Sequence, residues 1–299
     1  MRVLISGSHG LVGQALIKSL TKSGDEVVRL VRKEPAFGEA EVEWHPNQGL
    51  IDSEHLNNLD AVVHLAGESI ASGRWTVEKK KQIRESRVSG TELLSQSLAR
   101  LPQPPATFVC ASAIGFYGDR GDEVLTEQSS PGSGFLARVC IDWEKATTAA
   151  SEKGIRVVSA RFGIILDAHG GALAQMLPPF RLGAGGRIGS GKQWMSWIAL
   201  DDVVGALRFV LGNKSVAGPV NFVAPNPVIN SEFTKTLGHA LSRPTFFPIP
   251  AFGVRLAFGE MGSLLLASQR VTPTILQTVG YSFEFSELKI ALSHLLKRV

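Results

Sequence analysis

The stretch GSHGLVG carries a glycine spacing that could hold a phosphate. It places Gly7, Gly10 and Gly13 directly after an apolar run and before a helical pattern. Glycines at such intervals permit a tight turn, let the backbone approach a pyrophosphate and let the helix pack close to the strand. The N–H groups at the helix start then face the anion. The stretch predicts a dinucleotide site, with a tight turn alone as the alternative.

Residues between these glycines are expected to contact the cofactor as well. The candidates in the loop are His9, Leu11 and Val12. We expect His9 to contribute its backbone rather than to act as a base, because it lies in the turn itself.

The end of the second apolar run, EVVRLVRKEP, indicates which nicotinamide cofactor is bound. An NAD site usually has an acidic residue there to hold the ribose 2′-hydroxyl. This chain has Val31, followed by Arg32 and Lys33. A guanidinium can bind a 2′-phosphate with paired hydrogen bonds, which a carboxylate would repel. The sequence therefore predicts NADP(H), unless the two cations are only solvated loop charges.

The spacing GxxGxxG also carries a family resemblance. It resembles the extended branch of the short-chain dehydrogenase/reductase superfamily, whose members include sugar-nucleotide epimerases and dehydratases. That resemblance implies a Ser or Thr a few residues before a Tyr-Gly pair, and a Tyr-x-x-x-Lys pair on the next helix. In CASAIGFYG the Ser/Thr position falls on Ala113 or, one residue off, on Ser112, which precedes Tyr117. In FLARVCIDWEK, Leu136 and Cys140 stand where Tyr and Lys are expected.

These departures leave a reduced catalytic set. Ser112 and Tyr117 are the candidate catalytic residues, and the only other tyrosine in the chain is Tyr281, which has no Lys four residues later. The proton-transfer residues that the resemblance implies are therefore largely missing.

The departures match one subgroup of that superfamily. The motifs that carry the match are GSHGLVG, HLAGESI, GRW, ESRVSGTELL, SAIGFYG, VCIDWE and GSGKQWMSWI. They resemble epimerase-family proteins labelled SulA-like or "cell division inhibitor". The stretch from RPTFFPIPAFGVRLAFGE onward resembles the short C-terminal domain of unknown function in those proteins. The resemblance runs from end to end and implies an NADP-binding fold, but no substrate.

Further candidate cofactor contacts lie where that fold places its strand ends. HLAGES runs beside the adenosine and phosphates in the fold that the resemblance implies, and its small residues leave room for them. The candidates are Leu65, Ala66, Gly67, Glu68, Arg87, Ala111, Glu144, Arg161 and Gly163.

Several candidates have an ordinary structural alternative. Glu68 contacts the cofactor or substrate, or else caps a helix. Arg87 reaches a cofactor phosphate or pairs with a carboxylate. Glu144 replaces the missing Lys at the ribose or pairs with a neighbouring base. Residues 192–194 are expected to line the substrate pocket, and Asp201 is expected to cap a helix.

Predicted strands and helices alternate along the part of the chain that positions these residues. The runs RVLIS, EVVRLV, AVVHLA, TFVCAS and RVVSAR are apolar on both faces, as in parallel strands covered by helices. Helical patterns cover Leu11–Lys22, Glu78–Leu101 and Phe135–Glu152. The alternation predicts an α/β fold, a Rossmann doubly wound parallel sheet with a smaller, mainly helical C-terminal substrate domain. His64 falls inside a strand and is interpreted as a core histidine with its hydrogen bonds satisfied.

The composition of the sequence changes after Gly163, because Gly and Pro become more frequent. We expect an NADP-binding Rossmann domain over residues 1–165 and a substrate domain over residues 166–299. Segments near residues 187–225 are expected to return to the Rossmann sheet.

Composition bounds the remaining possibilities. The net charge is +4 over 299 residues, and only two cysteines occur, with no zinc or disulfide spacing. We expect no metal, no nucleic-acid partner and no membrane partner, with an unidentified small-molecule substrate, a monomer or homodimer, and a cytoplasmic location without a signal peptide. Two functions fit the sequence: an NADP(H)-dependent oxidoreductase or epimerase on a small carbonyl or sugar-like substrate, or a non-catalytic NADPH sensor or scaffold.

Overall fold

The computed structural model describes residues 1–297 as an α/β protein. Its strands are β1 (Arg2–Ser6), β2 (Glu26–Val31), β3 (Glu41–His45), β4 (Leu50–Ile51), β5 (Ala61–His64), β6 (Thr107–Ala113), β7 (Val124–Leu125), β8 (Arg156–Phe162), β9 (Ile164–Leu166), β10 (Trp194–Met195), β11 (Trp197–Ala199), β12 (Gly218–Phe222), β13 (Val228–Ile229) and β14 (Arg270–Val271). Its α-helices are α1 (Leu11–Lys22), α2 (Val77–Arg100), α3 (Phe135–Lys145), α4 (Thr148–Glu152), α5 (Gly171–Arg181), α6 (Leu200–Gly212), α7 (Asn230–Ala240), α8 (Ala251–Phe258), α9 (Gly262–Leu266), α10 (Thr274–Thr278) and α11 (Leu288–Leu296).

An eight-stranded sheet lies at the centre, in the order β12-β8-β6-β5-β1-β2-β3-β4. Its neighbouring strands pair in parallel, except that β4 pairs antiparallel with β3. The strand order reverses at β1, which lies between β2 and β5. In such sheets ligands bind in the crevice outside the carboxyl ends at this reversal. The predicted doubly wound Rossmann sheet is confirmed.

Helices cover both faces of the sheet because its strands are apolar on both sides. Leu16 and Leu20 of α1 pack with α6 in the core on one face. Leu94 and Leu98 of α2 pack with Trp143 of α3 in the core on the other face. The sheet and its two helical layers therefore hold the strand ends that form the site.

The helix predictions agree closely with the structure. Helix α1 has the predicted bounds, and α2 begins and ends one residue earlier than predicted. The third predicted helix, Phe135–Glu152, is divided, because α3 ends at Lys145 and α4 begins at Thr148.

The C-terminal part is mainly helical and adds one strand to the central sheet. Strand β12 pairs with β8 over five residues, and a third core cluster joins α5, α7 and α11. The division at residue 165 stays a prediction, and residues 298 and 299 of the predicted second domain lie outside the described residues. Among residues 1–297, no helix has both the length and the apolar character needed to cross a membrane.

Candidate nucleotide-binding and active site

The glycine turn after β1 leaves the start of α1 open. Gly7 has a φ of 69°, and its carbonyl accepts the N–H of Gly10 at 2.9 Å. A Cβ on Gly13 would lie 2.3 Å from the Gly7 oxygen, so this glycine lets α1 approach the strand end. No side chain caps α1, whose N-cap is Gly10. The first N–H groups of the helix thus face the carboxyl edge of the sheet, as an anion site requires.

Ser6 fixes the neighbouring strand end, which carries Leu65 and Ala66. Its Oγ accepts the N–H of Leu65 at 3.1 Å and that of Ala66 at 3.2 Å. Since the same Oγ lies 2.6 Å from Nδ1 of buried His64, the hydroxyl donates to that nitrogen. The His64 proton is then on Nε2, which is buried without a partner among the described residues. The prediction of a satisfied core histidine is wrong for this nitrogen.

Burial of His64 predicts a pH dependence of stability. It lowers the pKa of His64 from 6.5 to about 4. Below pH 6.5 the unfolded chain takes up a proton that the folded protein does not bind until pH falls to about 4. Stability is therefore expected to fall progressively across that window. Urea denaturation midpoints measured at successive pH values check this expectation.

A His64→Gln variant, which cannot titrate, should show a shallower loss of stability over the same pH range. The control is His55→Gln, because the His55 side chain is exposed on a 3-10 turn. Parallel profiles for the wild-type protein and the His64→Gln variant would contradict the prediction.

The end of β2 presents two cations and no acidic residue. Val31 is buried, whereas Arg32 and Lys33 are exposed immediately after the strand. Within residues 1–297, neither cation forms a salt bridge or a hydrogen bond through its side chain. Because β2 adjoins β1, both cations stand beside the glycine turn at the carboxyl edge.

The loop after β5 is held by Arg87 and Lys79 of α2. Arg87 Nη1 donates to the carbonyl oxygens of Glu68 (2.9 Å) and Ile83 (3.1 Å), and its guanidinium lies over the Trp143 ring. Lys79 Nζ donates to Glu68 Oε1 at 2.5 Å. Glu68 therefore does not cap α2, whose N-cap is Thr76. Arg87 pairs with backbone carbonyls, and among described residues it forms no carboxylate pair.

A buried charge network occupies the ends of β6 and β8. Arg161, which is 3 % exposed, binds Glu144 through Nε and Nη2 at 2.7 and 2.8 Å. Ser112 Oγ donates to the same carboxylate at 2.7 Å. Ser112 and Arg161 face each other in the strand register, and Glu144 reaches them from α3. The alternative that Glu144 pairs with a neighbouring base is thus the one the structure contains.

Tyr117 belongs to this network and is fully buried. Its hydroxyl accepts Arg161 Nη1 at 2.9 Å and donates to Asn221 Oδ1 at 2.7 Å. Burial raises the pKa of Tyr117, although the adjacent Arg161 opposes this effect. The phenol has no exposed surface in the structure, and a catalytic role for Tyr117 stays a prediction.

The two residues at the expected Tyr and Lys positions pack against the turn after β6. A Cβ on Gly115 would lie 3.5 Å from Leu136 and 3.7 Å from Cys140 Sγ, so α3 approaches this turn closely. Burial raises the pKa of the Cys140 thiol to about 12. The thiol stays neutral at physiological pH and supplies no positive charge in place of the expected Lys.

Other predicted site residues have structural roles. Ala111 is buried in the core with its side chain, and the Gly163 N–H is bonded to the Phe222 carbonyl at 3.0 Å. His9 is exposed, and its carbonyl accepts Gln14 Nε2 at 2.8 Å. Their predicted contacts with the cofactor stay predictions.

The predicted pocket segment 192–194 is partly structural. Gln193 is buried and donates to the Ile188 and Leu265 carbonyls, both at 3.1 Å. Trp194 Nε1 donates to Asp122. Helix α6 begins at Leu200 with Ala199 as N-cap, so the expectation that Asp201 caps it is wrong. Only Lys192 of this segment is exposed.

Sequence reasoning missed three residues that build the site. Ser6 positions the loop after β5, and Asn221 holds the Tyr117 hydroxyl. Glu127 Oε1 accepts the N–H groups of Asn221 and Ile275, joining β12 to α10. Ser6 and Asn221 are polar residues inside apolar strands, and that signal could have identified both.

The strand reversal, the open helix start and the two cations after β2 are those of a Rossmann-type nucleotide-binding protein. The model of the NAD dependent epimerase/dehydratase family matches residues 3–223, and a domain of unknown function, DUF1731, matches residues 249–295. The chain therefore belongs to the NAD dependent epimerase/dehydratase family.

Relatives match over nearly the whole chain. Epimerase family protein Mb2239 of Mycobacterium bovis is 44% identical over 98% of this chain and 96% of its own length. Epimerase family protein YfhF of Bacillus subtilis is 36% identical over 99% and 98%. The crystal structure of human epimerase family protein SDR39U1 with NADPH superposes with a TM-score of 0.91 at 35% identity, covering 100% of both chains. The DUF1731 match agrees with the predicted resemblance of the C-terminal segment.

Proposed function

We propose that this protein is an NADP(H)-dependent oxidoreductase or epimerase acting on a small carbonyl or sugar-like substrate. The observation that carries the proposal is the uncapped start of α1 beside Arg32 and Lys33, with no acidic residue at the end of β2. The human relative, whose crystal structure holds NADPH and which superposes over the whole chain, supports the choice of cofactor. The SulA-like label remains a resemblance of motifs, and the proposed function does not draw on it.

The residues present fit this cofactor. The N–H groups of Leu11 and Val12 at the start of α1 would hold the pyrophosphate, and Arg32 with Lys33 would bind the 2′-phosphate. When bound, the nicotinamide supplies hydride transfer. The pair of Glu144 and Arg161 fixes the ends of β8 and α3, so the floor of the site does not have to reorganise during the reaction.

Proton transfer in this proposal does not use a tyrosine. The Tyr117 hydroxyl is enclosed between Arg161 and Asn221, and Tyr281 OH donates to the Asp202 carbonyl at 3.1 Å. A water molecule or a group on the substrate is then the proton source. We expect a Tyr117→Phe variant to keep any turnover of the wild-type protein within about threefold, since only a buried hydrogen-bond partner is lost.

The enclosure of the Tyr117 hydroxyl between Arg161 and Asn221 also favours a second function, a non-catalytic NADPH sensor or scaffold. Two assays separate the functions: NADPH binding by fluorescence, and oxidation of NADPH measured by absorbance across a panel of carbonyl compounds and nucleotide sugars. Turnover above the no-enzyme rate supports the enzyme, and tight NADPH binding with no turnover across the panel supports the sensor. Failure to bind either pyridine nucleotide would overturn both.

Cofactor preference provides a direct prediction. We expect a variant with both Arg32→Ala and Lys33→Ala to lose about 10- to 100-fold in affinity for NADPH, with little change for NADH, because only NADPH carries the 2′-phosphate. Isothermal titration with each nucleotide measures the ratio. The control is Lys22→Ala at the far end of α1, which should leave the ratio unchanged. An unchanged ratio in the double variant would defeat the assignment.

A further inference from the structure

An exposed surface on the C-terminal part combines aromatic rings with cations that form no salt bridge among residues 1–297. We define this cationic aromatic face by its exposed members, which are Arg181, Leu182, Arg187, Lys192, Arg243, Phe246, Phe247, Phe252, Arg255 and Leu256. Phe246 is 84% exposed, and Phe252 and Leu256 are each 73% exposed. Each aromatic ring offers on the order of 150–250 Å² for burial, so the face exceeds the few hundred Å² of apolar patch usual for a monomer.

Two chain segments form this face, and their contacts make it continuous. Arg243 Nε donates to the Arg181 carbonyl at 2.8 Å, and the Gly189 N–H donates to the Ile249 carbonyl at 2.8 Å. Phe252 and Leu256, one helical turn apart on α8, lie on the side opposite buried Val254. The segments 181–192 and 243–256 therefore present one surface.

The charge of the face has one sign. The segments 171–193 and 240–259 contain no Asp or Glu, while all five of their Arg and Lys residues are exposed. None of those five cations forms a salt bridge within residues 1–297. Exposed apolar rings accompanied by these cations are complementary to a surface that is apolar and negatively charged.

Other occupants fit this face less well. A second copy using the same face would bring like charges together around the twofold axis. A small ligand needs a concave site that buries most of its surface, whereas rings exposed by 70% or more protrude. We propose that the cationic aromatic face docks this protein peripherally on an anionic lipid surface. The sequence-based expectation of no membrane partner rested on the lack of a spanning segment, which does not bear on peripheral docking.

The cationic aromatic face lies next to the candidate cofactor cleft, so docking would also orient that cleft. Arg74 Nη2, in the loop after β5, donates to the Leu256 carbonyl at 2.9 Å. Lys80 of α2 pairs with Glu260 just beyond α8. The docking helix therefore adjoins the loop that borders the cofactor cleft, and a docked protein would hold the mouth of that cleft at the lipid surface.

Vesicle sedimentation tests the proposal without reference to the cofactor. Full-length protein is mixed with vesicles of phosphatidylcholine alone, or with about one third phosphatidylserine. We expect binding only to the anionic vesicles, and its loss at about 1 M NaCl, where the Debye length is about 3 Å. A Phe246→Ser/Phe252→Ser variant and an Arg181→Gln/Arg255→Gln variant should each bind at least about tenfold more weakly, since a surface cation contributes about 1 kcal/mol.

Matched controls lie elsewhere on the chain. Phe37→Ser removes a fully exposed ring outside the face, and Arg100→Gln removes an exposed cation at the end of α2. Both should bind like the wild-type protein, and circular dichroism confirms that every variant is folded. Absence of wild-type binding to anionic vesicles would overturn the proposal, as would equal losses in the controls. A dimer without lipid that Phe246→Ser/Phe252→Ser dissociates would overturn it in favour of a second copy.

Discussion

Glu144→Ala is expected to lower the free energy of unfolding by about 3–5 kcal/mol, because it leaves a buried guanidinium without its counter-charge. Arg161 is 3% exposed, and its Nε and Nη2 both donate to the Glu144 carboxylate. The substitution also removes the acceptor of the Ser112 hydroxyl. Urea denaturation followed by circular dichroism measures the loss.

Asp142→Ala provides a matched control on the same helix. Arg84 donates from Nε and Nη2 to a single oxygen of Asp142, Oδ2, but the Asp142 and Arg84 side chains are well exposed, at 39% and 51%. Exposed ion pairs contribute about 0–1 kcal/mol, so this variant should remain close to the wild-type protein. Equal effects of the two substitutions would contradict the structural importance assigned to the buried pair.

Gly13→Ala is expected to weaken NADPH binding by at least about 100-fold, equivalent to about 2.7 kcal/mol. The new Cβ would lie 2.3 Å from the Gly7 carbonyl oxygen and 3.0 Å from Ser8 Cα, both backbone atoms. The helix start must therefore move away from the turn, and its N–H groups lose their alignment with the pyrophosphate. Fluorescence titration with NADPH measures the loss.

Gly212→Ala is the control for this substitution. Gly212 ends α6, and a Cβ there would meet no atom within 4 Å. NADPH affinity should be unchanged in this variant, and thermal melting shows whether both variants are folded. A folded Gly13→Ala protein that binds NADPH within threefold of wild type would refute the proposed phosphate site.

Local signals made much of the fold predictable. The bounds of α1 follow from the glycines before it and the apolar spacing within it, and the five apolar runs became β1, β2, β5, β6 and β8. The division of the third helix between Lys145 and Thr148 was not predictable, because its apolar spacing continues through the break. The position of the two cations after β2, Arg32 and Lys33, could be predicted from the order of residues alone.

The sequence alone determined the parallel sheet, the glycine turn and the absence of the Tyr-x-x-x-Lys pair, because each depends on residue types at short spacing. Only the tertiary structure decided what replaces that pair. Glu144, Arg161 and Tyr117 come from a helix, a strand and a turn, and Asn221 joins them from 104 residues after Tyr117. Such contacts form where the sheet brings strand ends together, and a buried polar group takes whichever partner the packing leaves within hydrogen-bond distance.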